Sequence, residues 1–386
     1  MSVLDLTSIE ELDRPPIDIR RVDPDVVRTY LGGAVASFAA TWLICFQLTS
    51  MSGWVGFTAI FALVTLILVW VLAYLQWGRV LAADHAARVL IGMTAAIAVA
   101  PLVWIVATVA ARGWHALSIA FWTKDLRFAG PQDPFDAGGV AHSIVGTLEV
   151  VGIAMLISVP LGVTSAVFLN EIGGSLARLV RMLTDAMSAV PSIVAGLFVF
   201  AVFIQSDMLP QSGFAAAIAL SLLMLPTITR TTEVVLRLVP GGLREASLAL
   251  GGSEWRTTRN VVLPTARAGI VTAVILGIAR VIGETAPLIL TMLGAQIFNA
   301  NPFSTDKQDA LPLFVWNQVK LATGSEGVAL QRAWSGAFVL MVLVLALFVA
   351  ARLLGTGRTR QRSSRRHERS MRARRVRTVH PEKERP

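Results

Sequence analysis

Arg280 and Glu284 stand four residues apart inside an apolar run extending from about residue 266 to 293, with Thr285 beside the acid and Pro287 two positions further on. A guanidinium stays charged at any physiological pH, and its planar fork matches the oxygens of an oxyanion bidentately. At the i,i+4 spacing of a helix, Glu284 meets Arg280 and can compensate the cation when no anion is bound. Thr285 adds a hydroxyl. Pro287 frees the carbonyl of Gly283 and lets the helix bend there, and Gly277 and Gly283 allow a neighbouring helix to come close. Pro264 marks the start of the run, so Arg280 lies sixteen residues beyond it, about 24 Å along a helix. A charge at that depth is costly and faces a cavity or a partner. A purely structural ion pair joining helices is the plainer reading of the same two residues, and the two roles are compatible. Glu149 is a second acid in an apolar run, read as a partner for Arg280, a lumen-facing group or a hydrated residue near the interface.

Other chemistries lack their residues. Cys45 is the single cysteine, so the chain forms no internal disulfide. His85, His115, His142, His367 and His380 are scattered without metal-ligand spacing, and no metal site or catalytic group is expected. Lys124, Lys307, Lys320 and Lys383 are the only lysines, and none closes a G-x-x-x-x-G-K-[ST] loop. The chain therefore holds no cofactor of its own by this reading, and any ATP is used by a partner subunit.

The elements that position these residues are set by hydropathy. The chain is 54% hydrophobic with a mean hydropathy of +0.64, and its apolar runs exceed the roughly 18 residues that suggest a membrane span. Eight runs are predicted, near residues 29–49, 53–76, 88–111, 142–169, 185–206, 212–236, 266–293 and 331–354. Backbone groups in lipid must be paired within the segment, which calls for helices, and no alternating ten-residue strands suggest a barrel. Residues 355–386 carry eleven Arg and one Lys against three Glu, a net of +9 equal to that of the whole chain. With Arg178 and Arg181 this tail belongs on the cytoplasmic side, and an even number of spans puts both termini there. The connections near 112–141, 207–211 and 294–330 then lie outside, where Arg112 and Arg127 are solvated loop charges or contacts for a delivering protein. Residues 1–25 are polar and acidic with no apolar core, as in a cytoplasmic leader and unlike a signal peptide.

Between two apolar runs lies Glu245-Ala246-Ser247-Leu248-Ala249-Leu250-Gly251, followed after nine residues by Val261-Val262-Leu263-Pro264. Pro240, Gly241 and Gly242 are expected to break the preceding helix, and Arg244 to Leu250 to form a short one. Gly251 supplies a left-handed cap, Ser253 caps a second short helix, and Pro264 ends it before the next span. Small side chains let a partner's backbone approach, while Glu245, Glu254, Arg256 and Arg259 offer directional charge. Here the sequence resembles the permeases of ABC importers, whose cytoplasmic EAA loop reads Glu-Ala-Ala, a Gly, then a hydrophobic-x-Leu-Pro ending.

Further motifs narrow the resemblance. The run from Gly277 through Arg280 and Gly283-Glu284-Thr285-Ala286-Pro287-Leu288 resembles the PstA-type permeases of phosphate-specific ABC importers. So do Leu225-Pro226-Thr227-Ile228-Thr229-Arg230, Gly138 to Ile144 with Gly146-Thr147-Leu148, Pro160 to Val163, and Val190 to Val194. The likeness spans residues 88–354.

It implies an all-α integral membrane protein with a six-helix type I importer core (77–354) holding the docking loop 240–264. That core is preceded by a leader (1–28) and an extra transmembrane hairpin (29–76), and followed by a disordered basic tail (355–386). It also implies a bacterial inner-membrane location, a homologous phosphate permease subunit, cytoplasmic ATP-binding subunits on the docking loop, and an extracytoplasmic phosphate-binding protein. The tail suits anionic lipid headgroups; lacking aromatic interleaving or a reading module, it gives no reason to expect nucleic acid. Two rivals stay open. One is the same architecture carrying sulfate or molybdate, and the other is a gradient-driven carrier or scaffold without an ATPase.

Overall fold

The computed structural model describes residues 24–49, 53–322, 324 and 327–356. These residues are helical apart from turns and loops, and the chain divides into two compact units after Val106. Residues 1–23 of the expected leader and 357–386 of the expected tail lie outside the described residues.

The first unit holds α1 (Pro24–Leu43), extended by a π-turn at Ile44–Leu48, and most of α2 (Trp54–Gly113). Pro24 suits the first turn of α1, where its missing N–H needs no partner. Helix α1 thus begins inside the stretch expected as leader. Gly78 interrupts α2 at φ 81°, ψ 177°, a backbone state open to glycine because it has no Cβ. The predicted runs 53–76 and 88–111 fall on either side of that break. Within the unit α1 folds back on α2: Thr29 Oγ1 donates to Gln76 Oε1 at 3.0 Å, and the Tyr30 hydroxyl lies 2.8 Å from His85 Nδ1.

In the second unit follow α3 (Ile119–Thr123), α4 (Ala141–Val167) with a π-turn at Phe168–Ile172, α5 (Ser175–Ala189), and α6 (Ser192–Val199) with a π-turn at Phe200–Ile204. Then come α7 (Gly213–Arg237), α8 (Gly241–Ala249), α9 (Glu254–Thr257) with a π-turn at Thr258–Val262, α10 (Leu263–Val281), α11 (Ala286–Thr291), α12 (Leu311–Leu321) and α13 (Val328–Thr356). Among the described residues six helical segments, α2 counted once, are long and apolar enough to cross a membrane, or seven if the bent pair of α5 and α6 is one span.

That pair corrects the predicted run 185–206. Pro191 holds Val190 extended, and the chain turns by 105°. Helix α5 is amphipathic instead, with Leu176, Leu179 and Leu183 on one face and Arg178, Arg181 and Asp185 on another.

Helix α7 is the axis of the unit. Of its most apolar window 67% is buried, against 33% at most in the other spans. Val150 and Ala154 of α4, Ile278 of α10 and Leu288 of α11 pack around Leu220, Met224 and Ile228. Ile228 is gripped from two sides: a Cβ added at Gly162 or at Gly277 would come within 2.8 Å of its side chain. Small residues let these three backbones approach, which is how helices associate where no hydrophobic drive separates them from lipid. Helices α4 and α7 run parallel, with Ser158 Oγ donating to the Ser221 carbonyl at 3.2 Å.

Candidate functional site

The docking stretch folds as a short helical hairpin between α7 and α10. Helix α7 ends at Arg237 and α8 starts right after Pro240, so the expected break is present at 238–240 and Gly241 and Gly242 open the first turn of α8. Its C-terminus is closed by two bonds, Gly251 N–H to the Leu248 carbonyl at 2.9 Å and Gly252 N–H to that of Ser247 at 3.0 Å. Gly251 sits at φ +80°, the left-handed residue this cap requires. Ser253 caps α9, its Oγ accepting from Arg256 N–H at 3.4 Å. Ser247 and Thr257 hydroxyls meet at 2.8 Å and tie the two short helices together.

Glu245 and Ala246 face solvent, and apolar side chains crown the tip, Leu250 being 90% and Trp255 66% exposed. Pro264 does not end the second helix. The π-turn before it widens the ladder and α10 begins at Leu263, so residues 254–281 form one continuous helical run. Pro264 lies inside that run, directly behind the π-turn, where it can give no N–H to the ladder.

Arg244, which sequence reading gave no task beyond opening a helix, ties this hairpin to the bundle. Its Nε and Nη2 donate to the Glu171 carboxylate at 3.2 and 2.8 Å, its Nη2 to the Leu236 carbonyl at 3.0 Å, and its Nη1 to the Val239 carbonyl at 2.8 Å. Nearby, the buried Glu233 carboxylate is met by Arg181 at 2.8 Å, Arg230 at 3.5 Å and Arg237. Arg230 also pairs with Asp185. This network staples α5 to the end of α7. Arg230, Glu233 and Arg237 hold local helical spacing, but nothing local signals the ties that join elements, since Glu171 and Arg244 are 73 residues apart and Arg181 and Glu233 are 52 apart.

The Arg280 region departs from the expected bent helix. Helix α10 stops at Val281, residues 282–285 form a link, and α11 starts at Ala286. Pro287 sits in the first turn of α11 and starts a new helix, which apolarity along 266–293 alone does not reveal. Arg280 and Glu284 are therefore not one turn apart on a single helix. Arg280 is exposed and Glu284 half-buried, and among the described residues no hydrogen bond or ion pair joins them or reaches Arg280 from elsewhere. Thr285 precedes α11, its side chain making no cap bond. Gly283 is exposed with open space around it, so it belongs to the link and admits no neighbouring helix; Gly277 does, against Ile228.

Glu149 is not a partner of Arg280 either. Its Oε2 accepts from Gln308 Nε2 at the opposite end of the unit from the docking hairpin. There Ser143 Oγ donates to Asp309 Oδ2 at 2.6 Å, and Thr147 Oγ1 accepts from Leu311 N–H at 2.8 Å. Burial pushes the Asp309 carboxyl up to about 7, against the bonds from Ser143 and the Ala310 backbone that favour its charged form. A cleft of about 1010 Å³ opens beside it, lined among others by Arg127, Asp306, Lys307, Asn317 and Lys320. Arg112 is exposed, but it stands in the last turn of α2 and lies over the Trp334 ring, 5.2 Å from its centroid.

The model of the family described as "Binding-protein-dependent transport system inner membrane component" matches residues 158–360. The phosphate transport system permease protein PstA 1 of Mycobacterium tuberculosis is 41% identical over 268 residues, 69% of this chain and 86% of that protein. PstA of Mycobacterium leprae is 42% identical over 68% of this chain and 86% of its own length, and PstA of Haemophilus influenzae 36% over 65% and 86%. A chain of the inward-facing MetNI methionine ABC transporter superposes at a TM-score of 0.43 with 19% identity, over 57% of this chain and 94% of its own, too loosely to add weight. With relatives this similar over most of their length, the chain belongs to the binding-protein-dependent transport system inner membrane component family and, within it, to the PstA-type phosphate transport system permeases.

Proposed function

We propose that this chain is one membrane-embedded half of an ATP-driven importer of inorganic phosphate. The observation that carries the proposal is Arg280, an exposed guanidinium on an apolar helix with no partner among the described residues. Lipid is a costly neighbour for such a charge, by several kcal/mol. A water-filled route shared with a second, homologous permease subunit gives it polar surroundings and an oxyanion to hold. Binding there is weak enough for release inward. Phosphate as the cargo is supported by the names of the relatives.

The exposed tip of the docking hairpin supports a seat for one of two copies of a cytoplasmic ATPase, the other seated on the homologous subunit; the ATPase uses the ATP, and the chain needs no cofactor. An extracytoplasmic phosphate-binding protein delivers the anion at the opposite end. Closure of the ATPases presses on the hairpin, shifts α7 and α10, and switches the cavity between outward and inward access as rigid bodies. The bacterial inner membrane, with both termini and the basic tail on the cytoplasmic side against anionic lipid, completes the reading. Residues 29–76 form its extra hairpin and 77–354 its permease core.

The test is uptake by the complete complex in proteoliposomes with ATP enclosed or withheld, and with sulfate or molybdate as competitors. Phosphate should enter only with ATP and resist both competitors. Uptake blocked by sulfate moves the cargo to another oxyanion, and uptake driven by an ion gradient without ATP ends the proposal.

A further inference from the structure

Arg244 directly precedes Glu245, yet the two side chains differ in surroundings, as a turn of about 100° between neighbours on a helix allows. Glu245 is exposed, whereas the Arg244 side chain is 23% exposed and its partner Glu171 12%. From α8 the guanidinium reaches three places at once: the π-turn that closes α4, the Leu236 carbonyl in the last turn of α7, and the Val239 carbonyl just beyond it. Carbonyls at a helix C-terminus lack intrahelical partners and attract cations, so this end of α7 is a natural seat for the fork.

Other ties between α8 and those two helices are weak. The chain enters α8 through Val239-Pro240-Gly241-Gly242, and a Cβ at either glycine would meet open space. The Ser247 to Thr257 bond acts only within the hairpin. Among the described residues, no other α8 side chain hydrogen-bonds to α4 or α7.

We infer that Arg244 is a positioning residue, a strut that passes load from the docking hairpin to α4 and α7 together. Helices α4 and α7 are packed along their length through Gly162 and Ile228, so a strut gripping both ends moves them as one body. Without it the hairpin can rock on its glycines while still holding a partner. The inference rests on the reading that an ATPase seats on this hairpin.

The experiment uses the whole reconstituted complex with Arg244→Ala, Arg244→Lys and Glu171→Gln, with Glu245→Lys in parallel. Co-purifying ATPase, ATP hydrolysis, phosphate uptake and thermal unfolding are read for each. Arg244→Ala should keep its ATPase and hydrolyse ATP while phosphate moved per ATP falls about tenfold, as for loss of a charge-assisted contact. Arg244→Lys should fall between it and wild type, because one ammonium cannot replace the fork, and Glu171→Gln should do the same.

An unchanged ratio of phosphate to ATP in all three overturns the strut. So does loss of the ATPase from a variant that unfolds at the wild-type temperature, since Arg244 would then belong to the docking face. If Arg244→Ala proves unstable, wild-type coupling in both milder variants overturns it as well. Retention of the ATPase by Glu245→Lys defeats the docking reading itself, whatever Arg244 does.

Discussion

Replacing Arg280 by glutamine separates transport from stability, because the structure gives the side chain no internal bond to lose. Arg280 is exposed and, among the described residues, unpaired, so the substitution should change folding stability by no more than about 0.5 kcal/mol. A hydrogen bond to a charged group contributes about 1.5–3 kcal/mol. If phosphate passes over this guanidinium, flux at low phosphate should fall about 10- to 150-fold. The assay is the initial rate of labelled phosphate uptake in proteoliposomes over a phosphate series, paired with thermal unfolding of the solubilised complex. Unchanged flux with unchanged unfolding would refute the reasoning. A large drop in unfolding temperature would refute it differently, by making Arg280 a structural group after all.

Gly162→Val should drive a side chain into Ile228 and cost about 1–3 kcal/mol by overpacking; a Gly162→Val, Ile228→Ala double variant should cost less than the two single changes combined, read by thermal unfolding. Glu233→Ala should strand the guanidinium groups of Arg181 and Arg237, Arg230 keeping Asp185, around a site where the carboxylate side chain is 2% exposed. The penalty of about 3–5 kcal/mol for breaking a buried pair shrinks to about 1–3 here, since the arginines reach water, and proteolysis should speed up at the junction of α5 and α7. Asp309 sets a pH dependence: its folded value of about 7 lies above the ordinary 3.8, so the folded state holds the proton more tightly and this residue's stability is lost as pH climbs through 4 to 7. Asp309→Asn should therefore gain stability over wild type on going from about pH 5 to 8, and parallel melting curves for the two proteins would contradict that.

The docking hairpin was legible because its rules are local. Gly251 at a positive φ and Ser253 at a cap act over three or four residues, and both hold the places their types suggest. Spans were legible as apolar runs, but their interruptions were not. Hydropathy averages over a window, so the link at 282–285 vanished inside the run 266–293, and the end of α5 merged with α6 although Pro191 stood between them. Pro264 was read as a helix ender and Pro287 as a bend within one helix, whereas Pro264 lies inside a continuous helical run behind a π-turn and Pro287 in the first turn of a new helix, where a missing N–H is harmless; only the backbone tells these cases apart. Contacts distant in sequence left no trace. Glu149 meets Gln308 across 159 positions, and Glu171 meets Arg244 across 73, without any spacing that could announce them.

The most direct measurement concerns which side of the membrane reaches Leu250, and what covers it. Leu250 is 90% exposed at the hairpin tip, and Cys45, the single cysteine, is buried and can be replaced by alanine. In that background, Leu250→Cys should react with a membrane-impermeant maleimide in inside-out vesicles and stay unlabelled in intact cells. Adding the purified ATPase subunit should block the reaction. Labelling from outside intact cells, or labelling at full rate with the ATPase bound, would contradict a membrane conduit worked from the cytosol through this hairpin.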